Sequence, residues 1–510
     1  MTSSKRNPKF FLALTGIPLI LIALLFSIIT PVFAGPDDDF HLASIWCAEG
    51  EKDNQCMAIS NDEYTTYGQV PNGLVNLLQC KSRVISDPPN CSLQNERPGY
   101  SNVRINSSAY PSGYYKFNSF FVTSDINLSI LKMRFFNALI FGVALLLAYV
   151  LIGLNASKKM LVSSALLLVP FPLFLIGTNN PQVWSVLTIV PMYFVFSEAL
   201  QKSSIRITSL QLLRYVYLLC GVNIYIASRG DGVYILLFLI GVLSVACFRE
   251  ISKKSITFIS CCLLIVLGLN KLFGPSGMQL GLAKMESNGN SYVLHNLLEL
   301  PGFLVGIFGG KGDSGYLSLG SYDLPLPSLA WFSTLIVLFT ILFLGSRDSA
   351  RIFAFSVALM GVAIISLYGM SQQSANTAGF FQPRYLLPFV FIALLVMFES
   401  NLERITRFRV GIVIVFQLVA FLTFMYAVLL RYSSGIPVEQ SKYLELFALP
   451  NTYVSKSMIN WNTFSGDLNG IIPFSALTIF ITMGLFWTIL SIGLGYLMTS
   501  LGRISAVPHK

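Results

Sequence analysis

Adjacent carboxylates and an imidazole stand together early in the chain, in Pro36-Asp37-Asp38-Asp39-Phe40-His41. A carboxylate can take a proton from a hydroxyl, and partial desolvation raises its pKa towards that task. Three further polar clusters follow at wide intervals: Asn179-Asn180-Pro181, Ser228-Arg229-Gly230-Asp231-Gly232 and Gln382-Pro383-Arg384-Tyr385. Arg229 and Arg384 suit phosphate, because a planar guanidinium grips two oxygens at once. Each cluster also has an ordinary reading. Acidic residues after a helix can be a solvated flank, Asn-Pro marks turns, Arg-Gly-Asp can be a tight interhelical turn, and an arginine can anchor a helix end.

Whether these clusters meet depends on what separates them, and long apolar runs do. Of 510 residues, 54% are apolar and only 11% are charged. A soluble chain carries roughly 25% charged residues, so a lipid-facing surface is required. Apolar stretches fall near 10–33, 135–154, 160–178, 182–199, 211–228, 232–248, 256–273, 328–345, 352–369, 385–399, 410–430 and 472–500. Lipid offers no partner to an open backbone group, so each is expected to be a helix. The fold expected is an all-α polytopic membrane protein with about twelve transmembrane helices, the spans at 232–248 and 385–399 being short. The first run exceeds a signal-peptide core, which favours an uncleaved anchor over cleavage after Val32-Phe33-Ala34.

Charge placement orients the bundle. With Lys5, Arg6 and Lys9 inside, the alternate short loops carry Lys158 and Lys159, Lys202 and Arg206, Arg249, Lys253 and Lys254, Arg347 and Arg351, and Arg404, Arg407 and Arg409. The tail, with Arg503 and Lys510, is inside as well. The short loops of the opposite side carry only Arg229 and Arg384. This is the positive-inside pattern for an N-in, C-in chain. The net charge of +10 therefore encodes topology, and nucleic acid is not an expected partner. All four polar clusters then share the outer side, at the outer ends of spans. Glu198, Arg214 and Lys271, near span ends, are expected to snorkel, and the span interiors to hold almost no ionisable group.

Three larger segments lie outside in this topology, a first loop at 34–133 and others at 274–327 and 431–471, inserted in a single membrane domain 1–510. The first is expected to be irregular with short helices. It holds Cys47, Cys56, Cys80 and Cys91, enough for two disulfides in an oxidising compartment, with three pairings open. Cys-x-x-Cys and His/Cys spacing suited to zinc are missing.

The ordered motifs resemble a family of bacterial multi-pass proteins known mainly as a domain of unknown function. Pro36-Asp37-Asp38 with His41 resembles its Pro-Asp-Glu-x-x-His motif, and Asn180-Pro181 its Asn-Pro turn. Gly315-Tyr316 with Asp323-Leu324-Pro325-Leu326-Pro327 resembles its Gly-Trp-x-Asp-x-x-Leu-Pro segment. Gln382-Pro383-Arg384-Tyr385-Leu386-Leu387-Pro388 resembles Gln-Gly-Arg-Tyr-Leu-Leu-Pro. Asp38, Tyr316 and Pro383 depart from the usual Glu, Trp and Gly. The family in turn is similar to C-type membrane glycosyltransferases, which use a polyprenyl-phosphate sugar as donor.

That resemblance implies a bacterial plasma (inner) membrane enzyme with its active side facing out. It would move a sugar from a polyprenyl-phosphate donor to a cell-envelope glycan or lipid acceptor. Asp37 or Asp38 would be the base, and the other would hold a divalent cation (Mg or Mn) or orient Arg229 or His41. Arg384 and Arg229 would hold the phosphate. His41, Asn180, Asp231, Gln382 and Tyr385 are further substrate-binding candidates, and Trp46, Tyr316 and Tyr385 could stack on sugars or form an interfacial aromatic belt. Two other functions remain open: a transporter of a lipid-linked glycan, which would want polar groups deep in the spans, and a noncatalytic assembly or interaction protein, for which the Asp37–His41 cluster would be dispensable.

Overall fold

The computed structural model describes residues 8–30, 34–51, 55–61, 65–75, 99–106, 110–168, 171–201, 208–248, 253–273, 292–308, 324–343, 348–371, 382–433 and 475–504, with short pieces at 311–312, 315–316 and 318–319. Cys80, Cys91, Asp323, residues 31–33 and most of the 431–471 segment lie outside the described residues, as do the side chains of Tyr316 and Lys271. The protein is a helical multi-pass bundle. In chain order its elements are α1 (Leu12–Ile29), α2 (Asp38–Trp46), β1 (Ile59–Asn61), β2 (Thr66–Pro71), β3 (Tyr100–Ile105), α3 (Ser112–Ser119), α4 (Ile126–Leu151), α5 (Leu154–Leu167), α6 (Phe171–Ile176) and α7 (Gln182–Gln201). These are followed by α8 (Ser209–Ser228), α9 (Gly232–Ala246), α10 (Lys253–Phe273), α11 (Tyr292–Val305), α12 (Ser328–Leu342), α13 (Ser349–Ser371), α14 (Leu387–Asn401), α15 (Arg407–Ser433) and α16 (Ala476–Ile504).

Eight helices among the described residues are long and apolar enough to cross a membrane, and α9, α12 and the 256–268 part of α10 are shorter apolar helices. Eleven of the twelve expected spans thus have a helix. The twelfth, 160–178, is divided into α5 and α6. Pro170 and Pro172 explain the break, since proline supplies no N–H to the ladder and disfavours helix in the residue before it.

The bundle is built around α7 and α14. The span containing α7 is wholly enclosed by protein, and that containing α14 is 89% enclosed, whereas α13 is only 22% enclosed. α7 packs against α4, α5, α8 and α14. Its internal Pro191 is tolerated because neighbouring helices surround the freed backbone. Two backbone approaches lock the turn after α1 to the turn after α6. A Cβ on Gly177 would lie 2.0 Å from Thr30 Oγ1, and one on Gly35 would lie 2.4 Å from Thr178 Cγ2. Only glycine permits such contact.

The segment after α1 is more regular than expected. β1, β2 and β3 form an antiparallel sheet with β2 central, in the register Thr66↔Ile105 to Pro71↔Tyr100. Tyr67, Val70, Val103 and Ile105 give these stretches the aromatic and β-branched content that favours strand. The sheet rests on α2, where Ser44 Oγ accepts a hydrogen bond from Asn106 N at 2.9 Å. A Cys47–Cys56 disulfide ties the end of α2 to the approach to β1, which selects one of the possible pairings. In the 274–327 segment, α11 is a further helix where only a loop was expected.

Candidate functional site

The site grows from the first turn of α2. Asp37 precedes the helix with φ 58°, the one non-glycine residue with positive φ among the described residues. Its carbonyl accepts the first helical hydrogen bond, from His41 N at 2.9 Å. The acidic segment is thus helical from Asp38 onward, and the left-handed turn at Asp37 sends the two carboxylates in different directions.

Asp38 is fully buried and engaged. Its Oδ1 accepts from Asn179 N at 2.9 Å and its Oδ2 from Gly35 N at 3.2 Å. Arg134 on α4 faces it, Nη2 to Oδ2 3.8 Å, with both side chains fully buried. Arg134 also donates to the Thr30 carbonyl. Asp38 therefore joins α1, α2, α4 and the α6–α7 turn. Arg134 escaped the sequence reading because α4 begins at Ile126, ahead of the apolar run at 135–154. The signal was present: an arginine entering a span is a functional candidate by default.

Asp37 makes a different contact. Its Oδ2 lies 2.7 Å from Arg384 Nη2; the arginine is fully buried and the carboxylate 45% exposed. Arg384 belongs to the 3-10 turn Pro383–Leu386 leading into α14. Gln182 Nε2 donates to the Arg384 carbonyl, and Asn180 Nδ2 donates to the Pro36 carbonyl at 2.9 Å. The expected clusters at Asp37, Asn180 and Arg384 are thereby joined by direct hydrogen bonds.

The fourth cluster arrives through an aromatic ring. Tyr385 has the Arg384 guanidinium 5.1 Å from its centroid and that of Arg229 5.2 Å away. Arg229, between α8 and α9, forms a buried, two-pronged ion pair with Asp231. Arg-Gly-Asp is thus a tight turn whose own acid neutralises its base. Gln382 is buried beside this turn into α14.

His41 completes the constellation. It is fully buried, its Nδ1 lies 2.9 Å from Tyr115 Oη, and its Nε2 has no hydrogen-bond partner. Burial, with help from the Arg384 charge, lowers its pKa to about 3. It is neutral at physiological pH. Tyr110 stands edge-on to the imidazole at 5.1 Å. Burial raises the phenol pKa values of Tyr110 and Tyr115, so both remain protonated.

Several expectations are corrected. Trp46 is 1% exposed, inside the core, and offers no face to a ligand. Glu198 and Arg214 do not snorkel: they are buried, 3.5 Å apart, and Arg214 Nε donates to the Leu151 carbonyl. A second buried pair stands at helix ends: Glu399, near the end of α14, accepts from Tyr193 and Ser197 and pairs with Arg351 in the first turn of α13 at 3.2 Å. Among the described residues no group of three or more His, Cys, Asp or Glu is gathered to hold a metal ion.

A family model described as "Predicted membrane protein (DUF2142)" matches residues 19–393, from α1 through Asp37 and Arg384 into α14. The chain belongs to this family. No curated protein matches the chain. Among solved structures, the oligosaccharyltransferase of Archaeoglobus fulgidus, tethered with an acceptor peptide containing the NVT sequon via a disulfide bond, is similar at TM-score 0.41 and 13% identity. The match covers 90% of this chain and 61% of that one, so this DUF2142 protein spans less than two thirds of its length. ArnT from Cupriavidus metallidurans, bound to undecaprenyl phosphate, is similar at TM-score 0.41 and 12% identity, over 96% of this chain and 76% of that one. Its apo state gives 0.41, 12%, 97% and 76%.

Proposed function

We propose that this protein is a membrane glycosyltransferase that moves a sugar from a polyprenyl-phosphate donor to a hydroxyl of an extracytoplasmic cell-envelope glycan or lipid. The observation that carries this reading is the Asp37–Arg384 contact. It sets a half-exposed carboxylate against a fully buried arginine, beside an imidazole whose Nε2 is unpartnered. The order of the motifs supports it, since it resembles that of a family similar in turn to C-type enzymes. The basic loops at the opposite ends of the spans support an outward-facing site.

In this reading Arg384 binds the donor phosphate, and the incoming anion replaces Asp37 as its partner. Asp37, released, becomes the base. The acceptor oxygen attacks the anomeric carbon as the carbon–oxygen bond to phosphate breaks. The bond's electron pair leaves with the polyprenyl phosphate, and the acceptor proton passes to the Asp37 carboxylate. Neutral His41 takes a hydrogen bond from Tyr115 at Nδ1 and offers Nε2–H to the sugar or acceptor. Buried positive charge at the leaving phosphate acts without reorganisation cost, which makes it effective in such a site. Asp38 is assigned to scaffolding.

The test is transfer of labelled sugar from a polyprenyl-phosphate donor by the full chain in lipid nanodiscs, with Asp37→Asn alongside. Transfer abolished in that variant, with melting temperature unchanged, supports the reading. Full transfer by Asp37→Asn would remove the base, and a dispensable Asp37–His41 cluster would leave a noncatalytic role.

A further inference from the structure

A cavity of about 520 Å³ lies away from the polar site, enclosed by α7, α8, α9 and α10. This is within the range of roughly 300–1,000 Å³ typical of ligand sites. Met192 and Phe196 of α7 form its floor, and Leu236, Leu239 and Ile240 of α9 one wall. Its few polar groups include Gln211, whose amide already donates to Tyr215 Oη at 3.1 Å. Apart from Gln211, Tyr215, Thr257, Cys261 and Cys262 the lining is wholly apolar, a wall suited to an apolar occupant.

Shape and access narrow the choice. Along α8 the lining runs from Gln211 to Val222, about 16 Å at 1.5 Å per residue. A long, thin occupant fits this slot. Its rim is open: Leu219 is 40% exposed and Ile265 36%, on helices that carry further exposed apolar side chains, among them Leu212, Val216, Leu264 and Leu267. Gly221 lies against Met192, a Cβ there meeting Sδ at 2.9 Å, so α8 is pressed onto α7 and the slot opens on its α10 side.

The slot also points at the site. α8 continues from Val222 to its C-cap Arg229, about 10 Å further. There the guanidinium meets Tyr385 and, across the ring, Arg384. One helix thus carries an apolar slot in its membrane part and, at its end, the Arg229–Asp231 pair beside Tyr385 and the phosphate-binding candidate Arg384. The geometry points to this cavity as the seat of the isoprenoid chain of the phosphate-bearing donor, entered sideways from the bilayer past α10. This inference rests on the transferase reading for the identity of the headgroup.

The test uses the full chain in nanodiscs and a photoreactive polyprenyl phosphate with the reactive group along the chain. Expected is labelling of peptides from α8, α9 or α10, competed by undecaprenyl phosphate and not by equal phosphatidylglycerol. Filling the slot with Leu239→Trp, or with Ile265→Trp at its tolerant rim, should cut labelling at least fivefold. The same variants should raise KM for a long-chain donor and leave KM for a two-isoprene donor unchanged. Labelling elsewhere, equal competition by phosphatidylglycerol, or undiminished labelling in both variants overturns the inference. Labelling that follows the expected pattern without transfer from any donor would retain the slot and sink the transferase reading. Transfer with chain-length preference unaltered in both variants would do the reverse.

Discussion

Asp37 and Arg384 are separated by 347 residues of chain and by 2.7 Å in space. This pair connects the first turn after α1 to the turn that opens α14. The exposed member can move and the buried member cannot, so the contact is suited to being exchanged by a ligand.

Asp37→Asn should reduce transfer by about 10²- to 10⁴-fold, the usual contribution of a general base. The fold should survive, because the side chain is half-exposed and asparagine tolerates the left-handed backbone that Asp37 occupies. Turnover and thermal melting of the purified variant would be compared. Loss of both together would mean that Asp37 supports the fold alone.

Asp38→Ala should act differently. It leaves Arg134 buried without its carboxylate, and breaking a buried pair costs roughly 3–5 kcal/mol. The variant should melt far below the wild type or fail to accumulate. A double variant, Asp38→Asn with Arg134→Leu, should recover part of the loss. An Asp38→Ala protein of normal stability would show that the pair does not brace the turn.

Arg384→Lys keeps the charge and loses the planar fork. Donor affinity should fall by roughly 10- to 100-fold, in line with about 1.5–3 kcal/mol for a charged hydrogen bond. Binding of polyprenyl phosphate, measured by competition, would show it. Unchanged affinity would exclude Arg384 from the phosphate site.

His41 should make stability depend on pH. Its folded pKa of about 3 lies below the unfolded value of 6.5. Between the two, the unfolded chain binds the extra proton, so stability is full above 6.5 and declines as pH falls towards 3. At pH 5 the loss should approach about 2 kcal/mol. In His41→Gln this component of the slope should vanish. Identical melting curves against pH for the two proteins would contradict the buried neutral imidazole.

Sequence showed where the site would assemble more clearly than how. The polar clusters were legible because each stands at the end of an apolar run and charge assigns them one side. Their convergence follows from a bundle that gathers helix ends. The division of labour between Asp37 and Asp38 was not legible, because it depends on a single left-handed residue and on Arg134, which precedes the obvious apolar run. The Glu198–Arg214 and Glu399–Arg351 pairs were hidden for a related reason. Charge near a span end reads as snorkelling until its partner helix is known. The sheet behind α2 rests on strands of only three to six residues, and four cysteines could not name the pair that closes.

The enclosure of α7 has a consequence for biosynthesis. Its polar groups find partners made much later: Tyr193 waits 206 residues for Glu399, and Gln182 waits 202 residues for the Arg384 carbonyl. At about 5–20 residues per second, that interval is tens of seconds. During it, the helix that ends up touching no lipid must be sheltered by the insertion machinery or by α4 and α8. Truncation just before α14 should therefore leave a chain that quality control removes, although every span it contains is intact.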